Sequence, residues 1–463
     1  MQFVKNRDSI LSRHQLIERH STALSALLVL LLLVSPAFGQ SGVAIQNGTP
    51  VDAKTQAEII DSVAYALNEV YVFPEVAKQM EKHIRKQYKD KAYKEITTLE
   101  DFIGKLTEDL RSISHDRHLA VRLAPESATT STHSDTLTDA EREQIIKRSA
   151  YNNFAFKKIE ILPGNVGYIK IDGFNEATWA GATAIAAMNF LANCDAIIFD
   201  LRENGGGQPS LIQLITSYFF NEPQHLNSFY IRKEDTTQQF WTQAYVQGPR
   251  MADVEIYILT SSYTFSGAEE FTYNLKNMKR ATIVGETTGG GAHPSERRIF
   301  PNLKVGMSLP YGRAINPITG TNWEGTGIEP HIKTSKAEAL NVAYLEALKK
   351  LKDKYDDEEI KRTLAWKIET LESKYNPYSL DESALKEYVG TYGPRKITLK
   401  DGALHYQREE GPVFKLVPMA KDKFRIDELD YFRPFFERDE GGRVVKFVGL
   451  YDNGYTDSHL KNK

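Results

Sequence analysis

Apolar residues in the first third of the chain recur every three or four positions. Ile59, Ile60, Val63, Ala66, Leu67 and Val70 make one such stripe, and Phe102, Ile103, Leu106, Leu110 and Ile113 a second, the spacing that puts side chains on one face of a helix. Pro74, in Tyr71-Val72-Phe73-Pro74, ends the first helix, because a proline pushes the residue before it out of helical geometry. From residue 166 the pattern changes. Residues 166–172 alternate as a strand, 179–191 read as a helix, and 195–201 are an apolar run of strand length. Val254-Glu-Ile-Tyr-Ile-Leu259 is another buried strand; Ala268, Phe271, Leu275 and Met278 follow at helical spacing, and Ala281-Thr-Ile-Val284 starts the next strand. That order predicts a βαβ unit. Residues 337–351 and 358–371 read as helices that close the core, with acids and lysines between the apolar positions. Beyond residue 384, the pairs Ile397/Leu399, Leu404/Tyr406, Phe414/Leu416 and Phe424/Ile426 alternate between turn dipeptides such as Asp401-Gly402 and Gly441-Gly442. These predict a small antiparallel β domain.

The amino terminus follows another pattern. Lys5, Arg7, Arg13 and Arg19 precede the apolar run 24–34, and Ala37-x-Gly39 follows it. A run of about 11 residues is too short for the roughly 20 that span a bilayer, and small residues after it suit a signal peptidase. Residues 1–39 are therefore expected to be a signal peptide, and the protein to be exported to the periplasm or secreted, with no membrane span after cleavage. The remaining chain suffices for two or three domains. With a formal net charge of −3 and no basic patch, nucleic acid and anionic lipid are not expected partners. The one cysteine, Cys194, allows no intramolecular disulfide. Residues 125–139 are rich in Ser, Thr and Asp and read as a linker. The interval from 126 to 164 is too short for an inserted domain, for which about 50 residues is a minimum.

Chemistry concentrates where strands end. Ser266 stands between the strand 254–259 and the following helix, a junction that turns a side chain into the crevice of an α/β sheet and offers unpaired helix amides to an anion. Ser266-Gly-Ala-Glu269 also fits a capping box, in which the serine only closes the helix. The segment alone leaves both roles open. Arg202-Glu-Asn-Gly205-Gly206-Gly207 follows the strand 195–201, and Gly289-Gly290-Gly291-Ala-His293 follows the strand after Ser266. Glycines there let backbone amides approach a ligand closely. The first cluster lacks the spacing of a phosphate loop.

Phe199-Asp-Leu-Arg-Glu-Asn-Gly-Gly-Gly207, Thr264-Phe-Ser-Gly-Ala-Glu-Glu-Phe271 and Val284-Gly-Glu-Thr-Thr-Gly-Gly-Gly291 together resemble the tail-specific (C-terminal processing) serine peptidases. Tyr71-Val-Phe-Pro74 and Asp116-Arg-His-Leu119 point to the branch with interphotoreceptor retinoid-binding protein and tricorn-type peptidases. The resemblance implies an α/β fold: a crotonase-like ββα catalytic core, an N-terminal helical domain and an appended C-terminal antiparallel β domain. The expected divisions are 1–39 signal, 40–124 helical domain, 125–139 linker, 140–345 core, 346–383 helical connector and 384–463 β domain. It implies Ser266 as nucleophile and the amides of Gly206 and Gly267 as oxyanion hole, with Gly205, Gly207 and His293 beside the substrate. Processing peptidases use a lysine 25 residues after the serine; this chain has Gly291 there, so no Ser-Lys dyad is expected. The tricorn-type arrangement places the base at His118 and its carboxylate at Glu324. His293 and His115 are rivals for the base, and Arg117 replaces the serine that precedes the histidine in tricorn enzymes. Lys276 and Lys279 read as a solvated helix face. The expected activity is hydrolysis of a peptide or protein substrate through an acyl-enzyme, without metal or cofactor. A non-catalytic carrier of an apolar ligand or peptide on the same fold is the alternative, and an ester hydrolase a lesser one.

Overall fold

The computed structural model describes residues 48–124 and 138–462. The predicted signal peptide and most of the predicted linker lie outside the described residues. Three helices open the chain: α1 (Ala53–Val70), α2 (Pro74–Lys89) and α3 (Leu99–Ser114), followed by β1 (Ala120–Leu123). The side chain of Asp52 caps α1 by accepting the N–H of Thr55 at 2.7 Å, and Pro74 occupies the first position of α2, where a missing N–H costs nothing. The central region comprises α4 (Asp139–Tyr151), β2 (Phe156–Leu162), β3 (Val166–Ile171), α5 (Ala177–Phe190), β4 (Ala196–Asp200), α6 (Pro209–Thr216), β5 (His225–Ile231), β6 (Thr236–Trp241), β7 (Glu255–Thr260), α7 (Gly267–Asn277) and β8 (Ala281–Gly285). It continues through β9 (Ser295–Phe300), β10 (Val305–Pro310), β11 (Gly312–Ile315), β12 (Ile332–Lys333), α8 (Ala339–Lys354) and α9 (Glu358–Tyr375).

The main sheet has the order β12-β8-β7-β4-β3-β2; all its pairs are parallel except β2 with β3. Both faces are covered, so the strands are apolar throughout. Ile197 and Phe199 of β4 and Ile256 and Ile258 of β7 pack with α5, α6 and α7 on one face. Their neighbours Ile198, Tyr257 and Leu259 pack with Ala343, Ala347, Leu348 and Leu351 of α8 on the other. The period-2 geometry of a strand sorts them. Helix α8 is thus a layer of the core, and the expected boundary at residue 345 falls inside it. The carboxyl-terminal region adds a short helix and nine strands in two antiparallel sheets of four and five strands, around Tyr388, Tyr392, Phe424, Phe436 and Phe447.

The helical region does not close on itself. Strand β1 pairs antiparallel with β10, and Val305, Met307 and Leu309 of β10 share one cluster with Ile59, Val63, Phe102 and Leu106. The N–H of Val72 bonds to the carbonyl of Pro310 at 3.0 Å, and the Arg232 guanidinium donates to the carbonyls of Tyr71 and Asn68 at 2.6 and 2.8 Å. The connection between α1 and α2, and the strand after α3, are therefore held against the core. Helix α4 lies where no element was expected, closed by a Thr138/Glu141 capping box and burying no residue. Among the described residues, no helix is long and apolar enough to cross a membrane.

Candidate active site

Ser266 immediately precedes α7 and adopts φ 54° and ψ −121°, a left-handed backbone that costs a non-glycine residue about 1–3 kcal/mol. The surroundings impose it. The N–H of Ser266 donates to Glu269 Oε2 at 2.9 Å, the return half of a capping box. The serine half is looser, with no cap hydrogen bond at normal geometry to the hydroxyl. Ser266 is half-buried, so its hydroxyl stands at the edge of the site. Glu269 is fully buried; its Oε1 also accepts from the Thr288 hydroxyl and the N–H of Gly290, and its Oε2 from the N–H of Gly291. One carboxylate thereby ties the serine turn to the second glycine cluster. Burial raises its pKa against the pull of these four hydrogen bonds.

The first glycine cluster is fixed by Asn204, which is fully buried, donates to the carbonyl of Ile171 at 3.0 Å and accepts the N–H of Gly206 at 2.8 Å. The expected use of Gly206 as an oxyanion donor is corrected here, because its N–H is already engaged by that side chain. Gly206 does abut the serine: a Cβ added to it would lie 2.8 Å from Cβ of Ser266. Gly207 and Gly267 are in mutual contact, since a Cβ on Gly267 would lie 2.9 Å from the nitrogen of Gly207. The N–H groups of Gly207 and Gly267 have no acceptor among the described residues.

His118 arrives from the turn after α3, where His115 is exposed and takes the left-handed C-cap position. The main-chain N–H of His118 donates to Oδ1 of the fully buried Asp116 at 2.9 Å. Its imidazole packs at 4.6 Å, centroid to centroid, on the ring of Phe265, the residue before Ser266. Burial pushes its pKa down to about 4, so the ring is neutral near neutral pH. One ring nitrogen of His118 and one oxygen each of Asp116 and Glu324 lie within 4.8 Å of one another. His118 Nδ1 and Glu324 Oε1 are both buried without a hydrogen-bond partner. Glu324 Oε2 accepts the N–H of Ala292, and burial beside the charge of Asp116 raises its pKa to about 7. No hydrogen bond joins Ser266 to His118 in this structure; such bonds are often long until substrate is bound.

His293 departs from expectation. It is 5% exposed, with Nδ1 2.7 Å from Asp116 Oδ2 and 3.5 Å from Glu324 Oε2, and its ring meets Phe73 edge-on. Sealed behind these groups, it cannot touch substrate. Gly291 explains the missing lysine: a Cβ there would lie 2.1 Å from Phe265 and 2.7 Å from His118. The two rings fill the space a lysine would need. Arg117 donates to the carbonyl of Gly289, with its guanidinium 5.6 Å from the centroid of the Phe265 ring. Lys276 bonds to the carbonyl of Glu329. Asp116 and Asn204, which hold the site together, lie inside the quoted motifs, but nothing in their spacing reveals a fully buried hydrogen-bonding role.

Residues 165–334 match the family model described as peptidase family S41, and residues 53–163 match the model of the N-terminal domain of that family in eukaryotic IRBP. The chain belongs to peptidase family S41. A protein of Staphylococcus haemolyticus named "Probable CtpA-like serine protease" is 24% identical to this S41 chain over 209 residues, 44% of this chain and 40% of that protein. Among solved structures, the tricorn protease aligns with TM-score 0.43 and 13% identity over 65% of this chain and 37% of its own. The photosystem II D1 C-terminal processing protease aligns with TM-score 0.36 and 14% identity over 61% of this chain and 93% of its own. At that distance the two structures do not bear on the site of this family member.

Proposed function

We propose that this S41 protein is a serine peptidase with Ser266 as nucleophile, His118 as general base and Glu324 as the carboxylate that orients it. The observation that carries the reading is the pair of unsatisfied buried atoms, His118 Nδ1 and Glu324 Oε1, in one constellation beside the strained serine turn. A neutral imidazole that hands Nδ1–H to a carboxylate presents Nε2 as a base. His118 takes the Ser266 proton as Oγ bonds to the substrate carbonyl carbon. It then gives that proton to the departing amine as the C–N bond breaks. Water, deprotonated by the same ring, releases the acid and restores the serine. The tetrahedral oxyanion is received by Gly267 and Gly207, whose amides are unengaged, each worth about 3–4 kcal/mol of barrier. Residues 1–39 are proposed to direct export to the periplasm or beyond.

Labelling the purified protein with a fluorophosphonate tests this. Adduct on Ser266, found by peptide mapping and absent in Ser266→Ala and His118→Ala, is the expected result. A folded protein that takes no label would favour the carrier reading and direct attention to ligand binding.

A further inference from the structure

The expected serine-histidine network has a fourth member at the position of Arg117, and Arg117 turns outward to the carbonyl of Gly289. Asp116, one residue earlier, is fully buried and has three contacts: Oδ1 accepts the main-chain N–H of His118, and Oδ2 lies 3.3 Å from the Tyr71 hydroxyl and 2.7 Å from His293 Nδ1. His293 Nδ1 is also 3.5 Å from Glu324 Oε2. Two carboxylates thus sit with oxygens within 4.8 Å of each other, in a place where like charges repel strongly. Among the described residues, His293 is the one basic side chain within 4.0 Å of either. Every element around it contributes: Tyr71 from the end of α1, Phe73 before α2, Asp116 and His118 from the turn after α3, and Glu324 from the loop after β11.

We propose that Asp116 and His293 are positioning residues for the base: Asp116 fixes the main chain of His118, and the His293 ring, with Nδ1 facing one oxygen of each carboxylate, offsets their repulsion so that Glu324 can accept from His118. This rests on the Ser266-His118-Glu324 reading. The arrangement couples an N-terminal turn, the glycine loop and the Glu324 loop through one buried ring, which explains a histidine where a substrate cannot reach.

The test separates charge from packing. Asparagine sets an amide N–H near the place of Nδ1, so His293→Asn keeps the bond to Asp116 and removes the charge; His293→Gln is the second variant should the first not fold. The rate of fluorophosphonate labelling is measured against pH. In the wild type the acidic limb belongs to Glu324. In His293→Asn it moves up by about 1–3 pH units, the size expected for losing an opposite charge at this range, with a plateau rate within a few-fold of wild type. In a Glu324→Gln background the His293 substitution produces no such shift. A uniformly slower rate with an unmoved limb would overturn the proposal and leave His293 a packing residue. If the wild type takes no label, the serine peptidase reading fails, and the coupling is read instead by NMR titration of the His293 ring. Removing the Glu324 charge then lowers the ring's midpoint by at least about one unit, by reciprocal linkage; equal midpoints in wild type and Glu324→Gln would sink it.

Discussion

Two glutamates at this site, Glu269 fully buried and Glu324 half-buried, have opposite surroundings. Glu269, in the first turn of α7, receives four hydrogen bonds shared over both oxygens. Glu324 receives one from a main-chain N–H and keeps Oε1 unsatisfied. A satisfied buried network is rigid, whereas an unpaired buried polar atom costs about 1–3 kcal/mol. The serine turn is therefore finished in the free protein, whereas the proposed base His118 and carboxylate Glu324, with atoms within 4.8 Å of each other, are not yet hydrogen-bonded. In the proposed peptidase, binding energy from a substrate would close that gap, so part of it would be expressed as rate.

The largest effect that tests this division is at the nucleophile. Ser266→Ala is expected to lower kcat on the order of 10⁴–10⁶-fold while leaving stability nearly unchanged, since no cap hydrogen bond at normal geometry involves the hydroxyl. A variant retaining a tenth of wild-type turnover on a peptide library would remove Ser266 from the chemistry.

Glu269→Gln attacks the finished half. The amide cannot accept from four donors, and the expected cost is about 2–5 kcal/mol in urea unfolding, with activity lost because the serine turn and the loop at Gly290 and Gly291 separate. Gly291→Ala tests the seam between the halves. Its methyl would meet Phe265 and His118, so overpacking of about 1–3 kcal/mol should coincide with a fall in kcat larger than any rise in KM. A Gly291→Ala protein with normal kcat would mean that the base is not where Phe265 holds it.

The two halves also differed in how far they could be read from the sequence. The serine turn is local: an apolar strand, Ser266 and a helix with Glu269 three residues on are contiguous, and the periodicity of β4, β7, α7 and β8 places them without tertiary knowledge. The base is not local. His118 comes to lie against Phe265 because β1 pairs with β10, nearly 190 positions later in register Ala120 with Ser308, and no pattern within either segment announces the partner. The same pairing merges the helical region with the core, so boundaries drawn from composition separate what shares one hydrophobic cluster. The engagement of Gly206 and the burial of His293 depend on side chains from three loops, beyond any reading by spacing. Helix α4 was legible but unread: Thr138-x-x-Glu141 is a capping box that the polar composition around it conceals.

Glu324→Gln gives a smaller effect on stability, with a sign that depends on pH. The carboxyl is raised from 4.5 to about 7 in the folded protein, so its contribution is fully present below pH 4.5 and is lost as pH rises through 7. The neutral amide escapes that loss. Above pH 8 the variant should be more stable than wild type by about 1–3 kcal/mol, a gain that vanishes toward pH 4.5, while its activity is poor throughout. His118 runs the other way: with its pKa lowered to about 4, its contribution is present above 6.5 and is lost as pH falls through 4. Melting curves from pH 4 to 9 separate the two, and a gain independent of pH would show that the Glu324 carboxyl ionises in the folded protein as it does in the unfolded chain.

The smallest effect isolates the strain in the serine turn. Ser266→Gly and Ser266→Ala both remove the hydroxyl, yet only glycine relieves a φ of 54°. Relief of about 1–3 kcal/mol is offset by the roughly 0.5–1 kcal/mol that glycine adds in chain entropy. The glycine variant should therefore melt a few degrees above the alanine variant, with both inactive. Such a difference would mean that the hydrogen bonds of Glu269 hold the nucleophile in a conformation its own backbone resists, at a cost in stability that places Oγ at the edge of the cleft. Identical melting temperatures would mean that the turn is relaxed, and that the position of the hydroxyl follows from the strand and helix geometry alone.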